Sequence, residues 1–258
     1  MPTATTFAVA GATGRLGRHI MDVLTERGHR AVPMSRATGV DIITGTGLEQ
    51  ALTGADTILD AASWHASDKE AAAEFFRTAA DNLHRAGQRA GVERIIAMSI
   101  IGADKATAGF IAAQQAHEEA HLAGTLPACI LRAAQFHELV GQLLDWQQGD
   151  TAYVPALPAQ LVACRTVAEA LVDLATDPDV SARQTPGTPI PEIAGPRRET
   201  LSEAAALLAA RRDVKVVATD GSTMPDADLA ASGAFLPGPH AKLAGPTFQE
   251  WLAAQPRS

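Results

Sequence analysis

The sequence predicts an α/β fold, a doubly wound parallel sheet, and three observations carry that prediction. Apolar runs alternate with helical patterns over the first 135 residues, the pitch expected of parallel βαβ units with helices on both faces. The runs Thr57-Ile58-Leu59 and Ile95-Ile96-Ala97 are apolar without alternation, as strands covered on both faces should be. Gly11-Ala12-Thr13-Gly14-Arg15-Leu16-Gly17 separates the apolar run Phe7–Ala10 from an amphipathic stretch over Leu16–Leu24. That order reads as strand, tight glycine turn, helix.

The elements follow in order. Strands are expected at 6–10, 30–34, 56–60, 94–98 and 128–132, with helices near 15–27, 47–53, 68–90 and 110–123. A helix over 136–148 precedes the proline-rich loop Pro155–Pro158. A strand at 161–164, a helix at 166–176, a strand at 191–194 and a helix at 200–211 come next. Gly233–Pro246 reads as a loop, and Thr247 caps a final helix running to Leu252. The chain is expected to form a single domain over 1–258, with a cofactor part to about 135 and a small C-terminal substrate-binding lobe from about 136.

Composition narrows the function classes. Hydrophobic residues make up 47% and charged residues 19% of the 258, a globular balance. A net charge of −8 argues against a nucleic-acid partner, which needs a basic face. Cys129 and Cys164 lie in apolar segments and read as buried, reduced thiols. No apolar run reaches membrane-spanning length, and the N-terminus lacks the pattern of a secretory signal, so a cytoplasmic protein is expected. Oligomeric state is not legible.

The glycine turn points to a phosphate. Glycine permits positive φ and leaves no Cβ between backbone and ligand, and a helix N-terminus presents free N–H groups to an anion. The spacing is GxxGxxG rather than the more common GxGxxG. In a dinucleotide fold the end of the second strand meets the adenosine ribose, where an acid favours NAD and an arginine accommodates the 2′-phosphate of NADP. Here that strand ends Pro33-Met34-Ser35-Arg36, without an acid, so NADP(H) is the expected cofactor.

These residues and several later segments resemble the atypical short-chain dehydrogenase/reductases of the NmrA-like, NAD(P)H-binding branch. The matching stretches are 11–36, Val40-Asp41-Ile42, Leu59–Ser63, Ile96–Gly102, Ile130–Glu138, Pro237-Gly238 and Thr247–Leu252. The resemblance implies a Rossmann-like fold. It also implies that Gly11, Thr13, Gly14, Arg15, Leu16 and Gly17 hold the pyrophosphate, and Ser35 and Arg36 the 2′-phosphate. Asp41 and Ile42 then sit at the adenine, although Asp41 equally suits capping a turn. Ala61, Ala62 and Ser63 pass beneath the ribose, Met98, Ser99 and Ile100 approach the nicotinamide, and Gln114 reaches its ribose.

The wider family uses a Tyr-x-x-x-Lys pair, in which lysine lowers the pKa of a proton-donating phenol. This chain has one tyrosine, Tyr153, with Leu157 four residues on, so the pair is absent. Aligning Glu118-Glu119 with the acidic pair that often follows the motif puts Phe110 and Gln114 at those positions. Two readings stay open: hydride transfer to a small carbonyl, quinone or related acceptor, or a non-catalytic NADP(H)-sensing or partner-binding protein. His137, after the fifth strand, is the first candidate acid and His65 the second, because imidazole titrates near neutrality. Trp64, Phe110, Phe136, His137 and Trp146 are candidates for a substrate pocket.

Residues 117–121, His-Glu-Glu-Ala-His, match HExxH, the spacing that puts two zinc-binding histidines on one helical face. With no third ligand evident, the expectation is a polar helix face, and no metal.

Overall fold

The computed structural model describes residues 5–64, 68–177, 184 and 187–256. The first half runs β1 (Thr6–Ala10), α1 (Arg15–Glu26), β2 (Arg30–Met34), a 3-10 turn (Arg36–Thr38), α2 (Leu48–Leu52), β3 (Thr57–Asp60), α3 (Lys69–Ala90), β4 (Arg94–Ile100), α4 (Gly109–Ala123) and β5 (Ala128–Ala133). The second half runs α5 (Leu139–Asp145), β6 (Thr151–Pro155), β7 (Pro158–Ala159), α6 (Cys164–Thr176), β8 (Glu192–Ala194), β9 (Glu199–Thr200), α7 (Leu201–Ala209), β10 (Lys215–Thr219), α8 (Ala227–Ala231), β11 (Lys242–Leu243) and α9 (Phe248–Ala254).

Seven strands form the main sheet in the order β11-β8-β5-β4-β3-β1-β2, and every neighbouring pair is parallel. The chain leaves β1 toward β2 on one side and returns to β3 on the other. This reversal makes β1/β3 the switch point, whose C-terminal ends are where such sheets bind ligands.

Alternate residues of the strands feed two cores. Phe7, Val9, Leu59, Ile96 and Leu131 pack under α1 and α6, whose buried faces carry Ile20, Leu24, Val167 and Leu171. Ala8, Ala10, Ile58 and Ile95 face the other way, toward Leu52 of α2 and Leu83 of α3. A further cluster under α5, α7 and α9 joins Val140, Leu144, Val154, Leu208 and Phe248.

The later elements differ most from expectation. The predicted helix over 136–148 shrinks to Leu139–Asp145, because Phe136 is drawn into a parallel bridge with Val162 and His137 N–H bonds the Val162 carbonyl. The predicted strand at 161–164 is that single bridge, and Cys164 already begins α6. The predicted loop 233–246 contains β11, which extends the main sheet beside β8. The pairs β6–β10 and β7–β9 were not visible in the pattern. Cys129 and Cys164 are buried, reduced thiols, and burial pushes both thiol pKa values up. Among the described residues no helix is long and apolar enough to cross a membrane.

Candidate functional site

The glycine turn closes on itself before α1 begins. Gly11 takes φ +74° and its N–H reaches the Met34 carbonyl at 3.0 Å, while Gly14 N–H returns to the Gly11 carbonyl at 2.8 Å. A Cβ on Gly11 would stand 2.7 Å from the Ala61 carbonyl, so the turn and the end of β3 approach as only glycine allows. Gly14 caps α1 without any side-chain hydrogen bond to the free N–H groups of the first turn. A helix start left bare beside a cavity is built for an anion.

A cleft of about 1590 Å³ opens over this turn and runs across the C-terminal ends of β1, β2, β3, β4 and β5. Gly11, Thr13, Gly14, Arg15 and Leu16 line one part. Ser35, Arg36, Asp41 and Ile42 line the part beyond β2. Ala61, Ala62 and Ser63 lie along its floor, and Met98, Ser99 and Ile100 carry it past β4. Trp64, Phe110 and Phe136 line its far reach with Phe75 and Gln135.

Several of these residues are held in place locally. Ser35 N–H donates to Thr38 Oγ1 at 3.0 Å, and their hydroxyls lie 3.3 Å apart, which fixes the turn that presents Arg36. Asp41 Oδ1 accepts the Ile43 N–H at 2.8 Å, so this carboxylate caps a turn while lining the cleft. Arg15, Arg18 and Arg36 are exposed and have no carboxylate partner among the described residues.

Four expected residues do not line the cleft. Gly17 lies behind it on the buried side of α1, where a Cβ would drive into the Gly11 carbonyl. Gln114 is buried in α4, with an Oε1 that finds no partner among the described residues. Trp146 ends α5 at 65% exposure, because that helix buries its Val140–Leu144 face. His137 is fully buried against Phe248 and Trp251, its Nε2 on the Pro246 carbonyl at 3.1 Å. Burial pulls its pKa down, against smaller upward pulls from Pro246 and Glu138. His65 lies outside the described residues.

The sequence also missed a second buried network. The polar face expected of residues 117–121 is instead packed inside: His117, Glu118 and His121 are all buried. Glu118 accepts from Ser99 Oγ at 2.6 Å, and from Arg132 Nε at 2.8 Å and Nη2 at 2.7 Å. Arg132 also pairs with Asp104 at 3.0 Å. His117 and His121 turn the other way, onto Asp60 at the end of β3. Burial by itself raises the Asp60 pKa, but the hydrogen bonds from both imidazoles outweigh it and hold the carboxyl well below its ordinary value.

A parallel sheet with a bare helix N-terminus and a long cleft at its switch point defines a Rossmann-like dinucleotide-binding protein. The profile of the NAD(P)H-binding family matches residues 11–178, more than half of the chain, and the chain belongs to that family. This agrees with the resemblance to the atypical, NmrA-like short-chain dehydrogenase/reductases. Solved structures share the fold at low identity. MoeE5 in complex with UDP-glucuronic acid and NAD has a TM-score of 0.71 at 17% identity, covering 98% of this chain and 97% of its own. An NADPH-dependent quinone oxidoreductase from Escherichia coli has 0.64 at 17%, covering 96% and 98%. A UDP-N-acetylglucosamine 4-epimerase from Bacillus cereus has 0.66 at 15%, covering 90% and 96%. No curated protein sequence matches the chain.

Proposed function

We propose that this protein is an NADPH-dependent reductase that passes a hydride to a flat, apolar carbonyl or quinone-type acceptor. The observation that carries the cofactor choice is the end of β2. Arg36 stands there unpaired with Ser35 beside it, and no acid lines the equivalent position. A guanidinium fork suits a 2′-phosphate, and a carboxylate would repel it. Arg15, within the glycine turn, adds positive charge for the diphosphate. The same reading assigns Thr13, Gly14, Arg15 and Leu16 to the diphosphate, Asp41 and Ile42 to the adenine, Ala61–Ser63 to the ribose, and Met98–Ile100 to the nicotinamide side.

The acceptor end is aromatic. Trp64 and Phe75 rings lie 5.6 Å apart, and Phe110 and Phe136 line the same space. Apolar walls exclude water and favour planar, weakly polar acceptors. NADPH supplies the hydride when bound. This chain's residues orient the two partners, and the acceptor oxygen takes its proton from water. A quinone suits that arrangement because it needs no strong protein acid.

A second reading keeps one observation in its favour. From Met98 to Gln142 the cleft lining contains no His, Lys, Tyr, Asp or Glu among the described residues. A stretch without a titratable side chain also fits a protein that senses NADP(H) without turnover. NADPH oxidation with a panel of quinones and aldehydes separates the two. Turnover supports the reductase, whereas tight NADPH binding with no acceptor reduced supports the sensor. Equal affinity for NADH and NADPH would sink the cofactor assignment.

A further inference from the structure

We infer that Asp60, His117 and His121 form a buried binding site for one divalent transition-metal ion, zinc by donor chemistry, which ties α4 to β3 beneath the cofactor cleft. Three donor atoms converge there, two from one face of α4 and one from the end of β3. His117 Nε2 lies 3.1 Å and His121 Nε2 3.0 Å from the same oxygen, Asp60 Oδ2, and the two Nε2 atoms are 3.0 Å apart. Asp60 and His117 are each 1% exposed and His121 is 0% exposed. Zinc bonds to nitrogen and carboxylate oxygen at about 2.0–2.2 Å, so an ion equidistant from this triangle sits about 1 Å out of its plane. Two imidazoles and one carboxylate suit zinc or its transition-metal neighbours rather than calcium or magnesium, which prefer all-oxygen shells.

Charge balance argues for a cation. The Asp60 carboxylate is buried, and a buried charge is costly unless it is paired or ligates a metal. Its only charged-type partners among the described residues are the two histidines. The guanidinium of Arg132 on β5 is taken by Glu118 and Asp104. The hydrogen bonds behind the site fix where protons lie without an ion. Leu126 N–H donates to His84 Nδ1 at 3.1 Å, so a neutral His84 carries its proton on Nε2, facing His121 Nδ1 at 3.3 Å. The His121 proton is thereby directed to Nε2, into the triangle. His117 Nδ1 has no hydrogen-bond partner among the described residues. A metal ion takes the Nε2 lone pairs of two neutral imidazoles, so on binding the His121 proton moves to Nδ1 and is donated to His84 Nε2, and the His84 proton moves to Nδ1 in place of the Leu126 N–H contact.

The role is structural. Glu118, which would be the base of an HExxH peptidase, is occupied by Ser99 and Arg132 and faces away from the site. The other oxygen of Asp60 accepts the Ala62 N–H at 2.9 Å, and Ala61, Ala62 and Ser63 form the cleft floor. An ion on Oδ2 therefore fixes the carboxylate that fixes the floor. This inference does not depend on which nicotinamide cofactor binds or whether turnover occurs.

The test measures metal in the full chain, expressed without a polyhistidine tag in zinc-supplemented medium and also refolded with zinc. The expected content is about one zinc per chain, falling below about a tenth of an equivalent in Asp60→Asn and His121→Gln and staying near one in His137→Gln. Replacement by Co²⁺ should give visible d–d absorption of nitrogen and oxygen ligation. Anomalous scattering at the zinc edge from wild-type crystals provides a readout that no variant's folding can confuse, with a peak expected within about 2.3 Å of all three donor atoms. Wild-type protein that stays below about a tenth of an equivalent in both preparations would overturn the inference, as would an anomalous peak elsewhere. Either result would leave the cluster as a proton-sharing network only.

Discussion

Gly17 rests directly on the carbonyl of Gly11, closer than any side-chain carbon could come, so the first helix and the first strand–helix turn are locked through bare backbone. The contact has no soft partner, because the opposing atoms are main-chain carbonyl and Ala12 Cα. Gly17→Ala should therefore cost about 1–3 kcal/mol of stability or more, the range of an overpacked core position. It should also weaken NADPH binding, since the turn must shift to admit the methyl. Urea denaturation and NADPH fluorescence titration check both, and an unchanged midpoint would remove the contact from the account.

Arg36 should act on the cofactor's 2′-phosphate and on nothing else. Arg36→Ala is expected to weaken NADPH binding by about tenfold or more, the worth of one or two charge-assisted hydrogen bonds. NADH affinity and thermal stability should hardly move, because Arg36 is exposed and forms no ion pair with the described residues. Isothermal titration with both cofactors is the direct measurement.

His137 should matter to stability rather than to turnover. Its folded pKa is lowered by burial, so the unfolded chain binds the proton more readily. The neutral ring's contribution is complete above the unfolded value of about 6.5 and declines as pH falls below it toward the folded value. His137→Gln should flatten that part of the stability profile while leaving NADPH oxidation unchanged. A large fall in turnover without loss of fold would return His137 to the chemistry.

Arg132→Leu should be among the most damaging single changes. It strands Glu118, which is 4% exposed and receives two hydrogen bonds from the guanidinium. Breaking one side of a buried pair costs about 3–5 kcal/mol. Replacing both, as Arg132→Leu with Glu118→Leu, should recover much of that loss, because the cost lies in the unpaired charge. A double-mutant cycle by thermal or urea unfolding measures the difference.

Phe110 should set acceptor affinity. It lines the far reach of the cleft and packs on Phe76 with ring centroids 6.0 Å apart. Phe110→Ala should raise KM for aromatic quinones severalfold while NADPH affinity stays within about twofold, since the lost contact is apolar area at the acceptor end. Steady-state kinetics with a fixed saturating cofactor separates the two.

Legibility along the chain followed local physics. β1, α1 and β2 announced themselves because apolar runs and a glycine turn are written in adjacent residues. α4 was placed correctly but its buried side was misread: it buries Gln114, His117, Glu118 and His121 among alanines, so hydrophobic spacing could not reveal it. The strands β6, β7, β9, β10 and β11 are two to five residues long, and β11 is only Lys242-Leu243. Such strands are made by their partners rather than by their own residues.

By itself the sequence determined the parallel α/β class, the glycine turn between β1 and α1 and the arginine at the end of β2, because each depends on neighbours within a few residues. Only the tertiary structure decided that Asp60 meets His117 and His121, 57 and 61 residues away, that Glu118 is spent on Arg132, and that His137 turns inward to Pro246. Those contacts depend on which strands lie side by side and which helix crosses them, a product of packing the whole chain that no local pattern encodes.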